Sequence, residues 1–147
     1  MLSELRVGEL LAALGERTPT PASGAATALT GALAAALAEL AARFAEDEDA
    51  VARAQAARVR LVELADEDVA AYAAFMADRR NGELRGRIIE VPEEIAAQAD
   101  AVAALAEHVR RQLRSSVAGD AEAAVELARG AARVARRLAE LNAPAPD

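Results

Sequence analysis

The sequence predicts an all-α protein: an antiparallel bundle of four long helices with a short helix before them. Three observations carry that prediction. The hydrophobic fraction of 54 % is inflated by alanine while aromatics reach only 2 %, and alanine is the strongest helix former. β-Branched runs are nearly absent apart from Ile88–Ile89, which leaves little from which to build a sheet. Apolar residues also recur at a helical period through four long windows, each bounded by turn or capping residues. The 147 residues fit one domain, taken as 1–142, with a Pro-Ala tail from Ala143 to Asp147 expected to be disordered.

Charge and composition narrow the function classes. A net charge of −7 argues against general binding of nucleic acid or anionic membranes. The chain has no cysteine, so disulfides, thiolate chemistry and thiolate zinc sites are excluded. The opening MLSELRVGELLAAL mixes acidic residues with its leucines and shows no basic-then-apolar signal pattern. An uncharged stretch lies between Arg17 and Glu39, but it opens with two prolines and is mostly alanine, glycine and threonine, so no membrane span is expected. A cytoplasmic location is the expectation.

Ser3 is a plausible N-cap for a first helix carrying Leu5, Leu10, Leu11 and Leu14 and ending at Gly15. Two Thr-Pro steps at Thr18–Pro21 then hold the chain out of the helical region. They deliver a central helix ending near Phe44. Leu29, Leu33, Leu37, Leu40 and Phe44 make one stripe of it, and Gly24, Ala28, Gly31, Ala35 and Ala38 fall on the opposite side. A helix with one greasy and one small face is expected to be packed on nearly every side, as a core helix or a subunit interface.

Glu46, Asp47, Glu48 and Asp49 suit the positive end of the third helix's dipole better than a metal site. That helix is expected from about Asp49 to Arg80, stopped by Asn81-Gly82. Its stripe is Ala54, Leu61, Leu64, Ala65, Tyr72, Phe75 and Met76, and Asp68 falls in the middle of it. A carboxylate on an apolar face must meet an arginine or a helix N-terminus, or else serve a ligand.

Residues 82–91 read as a basic loop, with Pro92 in the first turn of a fourth helix. Ile95, Ala99, Val102, Leu105, Ala106, Val109 and Leu113 make that helix's buried stripe. The sole histidine, His108, falls beside the stripe and reads as a surface residue. After a break at Ser115–Gly119, Asp120 opens the fifth helix, on the same side as Leu127, Ala131, Val134, Leu138 and Leu141. It is either that helix's N-cap or a functional carboxylate.

Four blocks in fixed order then point to a family. They are VGELLAALGERTPTPASGAATALTGALAAAL from Val7; LADEDVAAYAAFM from Leu64 to Met76; Val91-Pro92 before a long helix; and Gly119-Asp120-Ala121 leading an alanine-rich helix. Together they resemble the cyclodeaminase/cyclohydrolase family, which includes the C-terminal domain of formiminotransferase-cyclodeaminase and the methenyltetrahydrofolate cyclohydrolases. The resemblance implies a dimeric helical bundle with a folate site in a crevice between helices. Asp68 and Asp120 occupy the places of family aspartates and become the candidate catalytic residues. Ser23 and Gly24 stand where a glycine turn lines the site, and Arg79, Arg80, Arg85 and Arg87 could meet a folate's glutamate tail if they are not simply solvated.

The implied chemistry is folate one-carbon metabolism. In a 5,10-methenyltetrahydrofolate cyclohydrolase, water attacks the cationic N5–CH–N10 bridge; in a formiminotetrahydrofolate cyclodeaminase, N10 attacks a formimino carbon and ammonia leaves. Both need a carboxylate, and neither needs a metal or a cofactor beyond the tetrahydrofolate substrate. The family's triple glycine is Ala22-Ser23-Gly24 here, and an Asn-rich step before Asp120 is missing. A second reading follows: a catalytically inactive member that serves as a folate-binding or dimeric scaffold module.

Overall fold

A computed structural model describes residues 1–114 and 116–144. A 3₁₀ turn, Leu2–Glu4, is followed by five helices: α1 (Val7–Gly15), α2 (Ser23–Phe44), α3 (Glu48–Ala77), α4 (Gly82–Arg110) and α5 (Val117–Asn142). Helices α2 to α5 form the bundle, with the α4–α5 and α2–α3 pairs in the most extensive contact. Of the tail, Ala145–Asp147 lie outside the described residues, as does Ser115 in the predicted break before α5.

The core is built from small side chains. On α2, Ala25, Ala28, Ala34, Ala35, Ala38, Ala41 and Ala42 are fully buried, and the glycines let the helices close. A Cβ on Gly31 would stand 3.2 Å from both methyls of Leu61, so α3 approaches closely enough that any side chain there would press on Leu61. On α5 the buried set is Ala121, Ala124, Val125, Ala128, Ala131, Ala132, Ala135 and Ala139.

On α2 the small face is packed as expected but much of the leucine face is not, and the expected α5 stripe is split, with Ala131 buried. Leu33, Leu40 and Phe44 on α2 and Leu127, Val134 and Leu141 on α5 are exposed. The alanines win the interior because closely approaching helices leave no room for leucine between them. The apolar window of α2 has a mean hydropathy of 1.5, long enough for a membrane span, yet 56 % of it is buried in the bundle.

Four boundaries differ from expectation for identifiable reasons. The first helix begins at Val7, because Leu2–Glu4 forms a separate turn held by the Leu2 N–H donating to Asp66 Oδ1 at 2.8 Å. Helix α3 stops at Ala77 and residues 82–91 are helical. Asn81 is an N-cap rather than a stop, its side chain accepting from the Glu83 and Leu84 N–H groups; asparagine serves both ends of helices, and spacing alone chose the wrong one.

Pro92 therefore sits inside α4 rather than in its first turn. Proline has no N–H, so the carbonyl four residues back, on Ile88, loses its helical partner. Asn142 supplies it, Nδ2 donating to the Ile88 oxygen at 2.7 Å. Finally, α5 begins at Val117 with Ser116 as N-cap, so Asp120 lies inside the first turn and is not a cap.

The α2–α3 connection follows the glycine-capped pattern without the glycine. Asp47 N–H reaches the Ala42 oxygen and Glu46 N–H the Arg43 oxygen, which places Glu46 in the left-handed region at φ 55°, a conformation glycine adopts more cheaply. Asp47 also caps α3 by accepting from Ala50, with Glu48 and Asp49 in the first turn where the dipole favours them. His108 is exposed and lies 3.4 Å from Asp47.

Candidate functional site

A partly polar cavity lies where α2 begins. Its walls come from four segments: Pro19, Thr20, Ala22, Ser23 and Gly24 at the entrance to α2; Asp68 and Tyr72, one turn apart on α3; Pro92 on α4; and Leu138 and Asn142 at the end of α5. Its volume is about 180 Å³. That is room for a ring or a one-carbon unit but less than the ~300 Å³ at the lower end of drug-sized sites.

Asp68 is the centre of this cavity's chemistry. Burial pushes its carboxyl above the usual aspartate range, partly offset by a hydrogen bond from the backbone N–H of Ala25. Among the described residues, no cation offsets it. Of the partners open to a carboxylate on an apolar face, Asp68 has met the α2 N-terminus, where free N–H groups and the helix dipole favour an anion. It remains half-buried and open to the cavity. A carboxyl with a raised pKa at a cavity wall is suited to taking and returning protons.

Gly24 makes that position possible. A Cβ there would fall 2.0 Å from Asp68 Oδ1 and 2.3 Å from its Cγ, so any other residue would displace the carboxyl. Ala22 and Ser23, by contrast, are exposed on the cavity rim. Of the three positions where the resemblance led one to expect glycine, the one that sterically requires it is the one that keeps it.

The structure thus brings together Ser23, Gly24 and Asp68, and adds Tyr72, Pro92 and Asn142, which the sequence had not marked as site residues. Tyr72 could have been found, since it follows Asp68 by one turn. Asn142 could not, because its neighbours are distant in sequence. Asp120 is not part of the cavity. It lies on α5, 18 residues before Leu138, about 27 Å along the helix.

The arginines are not assembled at the cavity either. Arg87 pairs with Glu67 at 3.1 Å and Glu90 at 3.4 Å. Arg85 lies over the Phe75 ring, 5.2 Å from its centroid. Arg79 contacts the Met76 sulfur, and Arg80 is exposed beside it in the α3–α4 turn. Arg60, which had drawn no notice, is the main clamp between α3 and α4. It makes a two-pronged pair with Glu94 at 2.7 and 2.9 Å and a bond to Glu67 at 2.6 Å, and these carboxylates hold its guanidinium more firmly charged. Among the described residues, no group of three or more His, Asp or Glu side chains could hold a metal ion.

A second, apolar groove runs between α1, α2 and α3. It encloses about 480 Å³ and is walled by Leu10, Leu11, Leu14, Leu29, Leu33 and Val62. Helix α1 buries none of its residues; Val7 and Leu11 are 73 % and 62 % exposed, and on α2 Leu33 and Phe44 are 65 % and 63 % exposed.

Comparison with known proteins gives a consistent picture. A family model for formiminotransferase-cyclodeaminase matches residues 6–146. A crystal structure of formiminotetrahydrofolate cyclodeaminase from Thermotoga maritima superposes with a TM-score of 0.87 at 26 % identity, covering 97 % of this chain and 80 % of that one. No curated protein matches the sequence.

Proposed function

The chain belongs to the formiminotransferase-cyclodeaminase family, a family of folate one-carbon metabolism, and from that premise we propose that it acts on the one-carbon unit held between N5 and N10 of tetrahydrofolate. The observation that carries the proposal is Asp68, a carboxyl raised by burial and set on the α2 N-terminus at a cavity wall. In the hydrolytic direction, water adds to the cationic methenyl carbon and Asp68 takes the proton that water loses. The C–N5 bond then breaks as that proton passes to the departing nitrogen and the hydroxyl on the carbon releases its own proton to solvent, leaving a formyl group on N10. In the deaminating reaction, N10 adds to the carbon of a protonated formimino group, and the same carboxyl carries the N10 proton to the nitrogen, which leaves as ammonia and gives the methenyl cation. The charged form of Asp68 also opposes the positive charge of the methenyl bridge.

Both reactions need one proton-carrying carboxylate beside the bridge, and neither draws on a cofactor beyond the tetrahydrofolate substrate. Asp120 is assigned no step within one chain. Ser23 and Gly24 shape the floor under the reacting carbon, and the arginines of the α3–α4 turn remain candidates for a folate's glutamate tail from outside the cavity.

The protein acts in the cytoplasm as a homodimer. The apolar surface of α1 and α2 supports the dimer, since exposed patches of this kind mark association surfaces. The small cavity volume supports it as well, because a whole folate needs walls that one chain does not supply.

The absorbance of 5,10-methenyltetrahydrofolate, followed with and without protein, tests the activity. Loss of the chromophore above the background rate is expected for the hydrolase, and its appearance from 5-formiminotetrahydrofolate for the deaminase. A protein that changes neither rate yet is stabilised by 5-formyltetrahydrofolate would be the inactive folate-binding module instead, for which saturation at 100 times Kd is worth about 2.7 kcal/mol.

A further inference from the structure

We propose that Asn142 is a substrate-recognition residue, presenting the unused half of its amide to a polar edge of the ligand in the Asp68 cavity. Pro92 creates the need for this residue. Its ring removes the N–H that Ile88 O would accept inside α4, and Ile88 is 5 % exposed, so water does not reach in to replace it. Asn142, the last residue of α5, donates through Nδ2 at 2.7 Å. A carbonyl can only accept, so this bond fixes which end of the amide is nitrogen and locks its orientation.

One N–H is thereby used. The second N–H and Oδ1 have no partner among the described residues, and Asn142 lines the same cavity as Asp68 and Tyr72. A side chain that only repaired the helix would not need to stand on the wall of a polar cavity. The lock removes the rotational freedom an asparagine otherwise loses on binding, so the free half is preorganised. The matching chemistry is a neighbouring donor and acceptor, as in a cyclic amide or an amidine. On the folate reading, on which this inference rests, the reduced pterin ring offers such an edge.

The two roles separate in a double-variant cycle. Pro92→Ala returns an N–H to Ile88 O and makes the repair unnecessary. Asn142→Ala in the natural background is expected to lower the melting temperature, and Pro92→Ala/Asn142→Ala to recover it. Affinity for 5-formyltetrahydrofolate, measured by calorimetry, is expected to stay about tenfold weaker in the double variant than in Pro92→Ala alone, the loss typical of a deleted hydrogen bond. If the alanine pair does not fold, Asn142→Leu in the Pro92→Ala background makes the same comparison, because it deletes the donors and the acceptor at nearly constant size and adds no charge. Equal affinity with and without Asn142 in that background would overturn the proposal while leaving the folate reading intact. A natural protein with no affinity for 5-formyltetrahydrofolate would overturn both.

Discussion

Asp68→Asn is expected to lower kcat at least about a hundredfold, the usual contribution of a positioned proton-transfer group, while leaving the bundle folded. The two side chains are nearly the same size, and asparagine can still accept from the Ala25 N–H, so the α2 entrance keeps its geometry. What is lost is the proton carrier and the negative charge facing the cation. Methenyltetrahydrofolate turnover is the readout; near-native kcat in this variant would remove Asp68 from the mechanism.

The same substitution has a stability signature of opposite sign. Burial raises the folded-state pKa of Asp68, so the folded protein holds this proton more tightly than the unfolded chain. The contribution to stability is therefore fully present below the unfolded pKa and is lost as pH rises through the folded value. Asparagine has no such slope. The variant should match the natural protein in acid and melt above it at neutral pH. A functional carboxyl kept at a cost to stability is the pattern expected of an active site.

Gly24→Ala is the second large effect. Alanine is the better helix former by about 1 kcal/mol, and by propensity alone the change should stabilise α2. Its Cβ, however, would stand 2.0 Å from Asp68 Oδ1, and the carboxyl must swing away from the Ala25 N–H. A hydrogen bond to a charged group is worth about 1.5–3 kcal/mol. The net expectation is a melting temperature lowered by a few degrees, with activity falling as far as in Asp68→Asn. Because both variants act through one carboxyl, their double variant should be no less active than the worse single one. Losses that multiply would show that Gly24 serves the site in some other way.

The sequence makes the fold legible because helical period and alanine content agree over most of the chain, and α2 runs from Ser23 to Phe44 as its composition implies. Burial is less legible: both faces of α2 read as packed, and within one chain only the small one is fully so. Periodicity reports that leucines and alanines lie on opposite sides of a helix but not which side the neighbours choose, and close packing chose the alanines. Asn81 shows a similar ambiguity, since its side chain can begin a helix as readily as its backbone can end one.

The site was partly legible for a different reason. Asp68 stands out as a carboxylate among apolar residues on one helix, a signal carried within the twelve residues from Leu61 to Tyr72. Its partnership with Gly24 joins positions 44 apart in sequence, and the Pro92–Ile88–Asn142 arrangement depends on α5 returning beside α4. Neither relation leaves a local pattern. Asp120 drew notice by the same apolar-face logic as Asp68, but the length of α5 carries it to the other end of the helix from the cavity.

A crystal structure of the protein with 5-formyltetrahydrofolate locates the ligand. The N5–N10 edge is expected in the cavity at the start of α2, with an Asp68 carboxylate oxygen about 3 Å from the polar atoms at that edge. A ligand seated in the apolar groove of α1 or beside Asp120, with the Asp68 cavity empty, would contradict that placement.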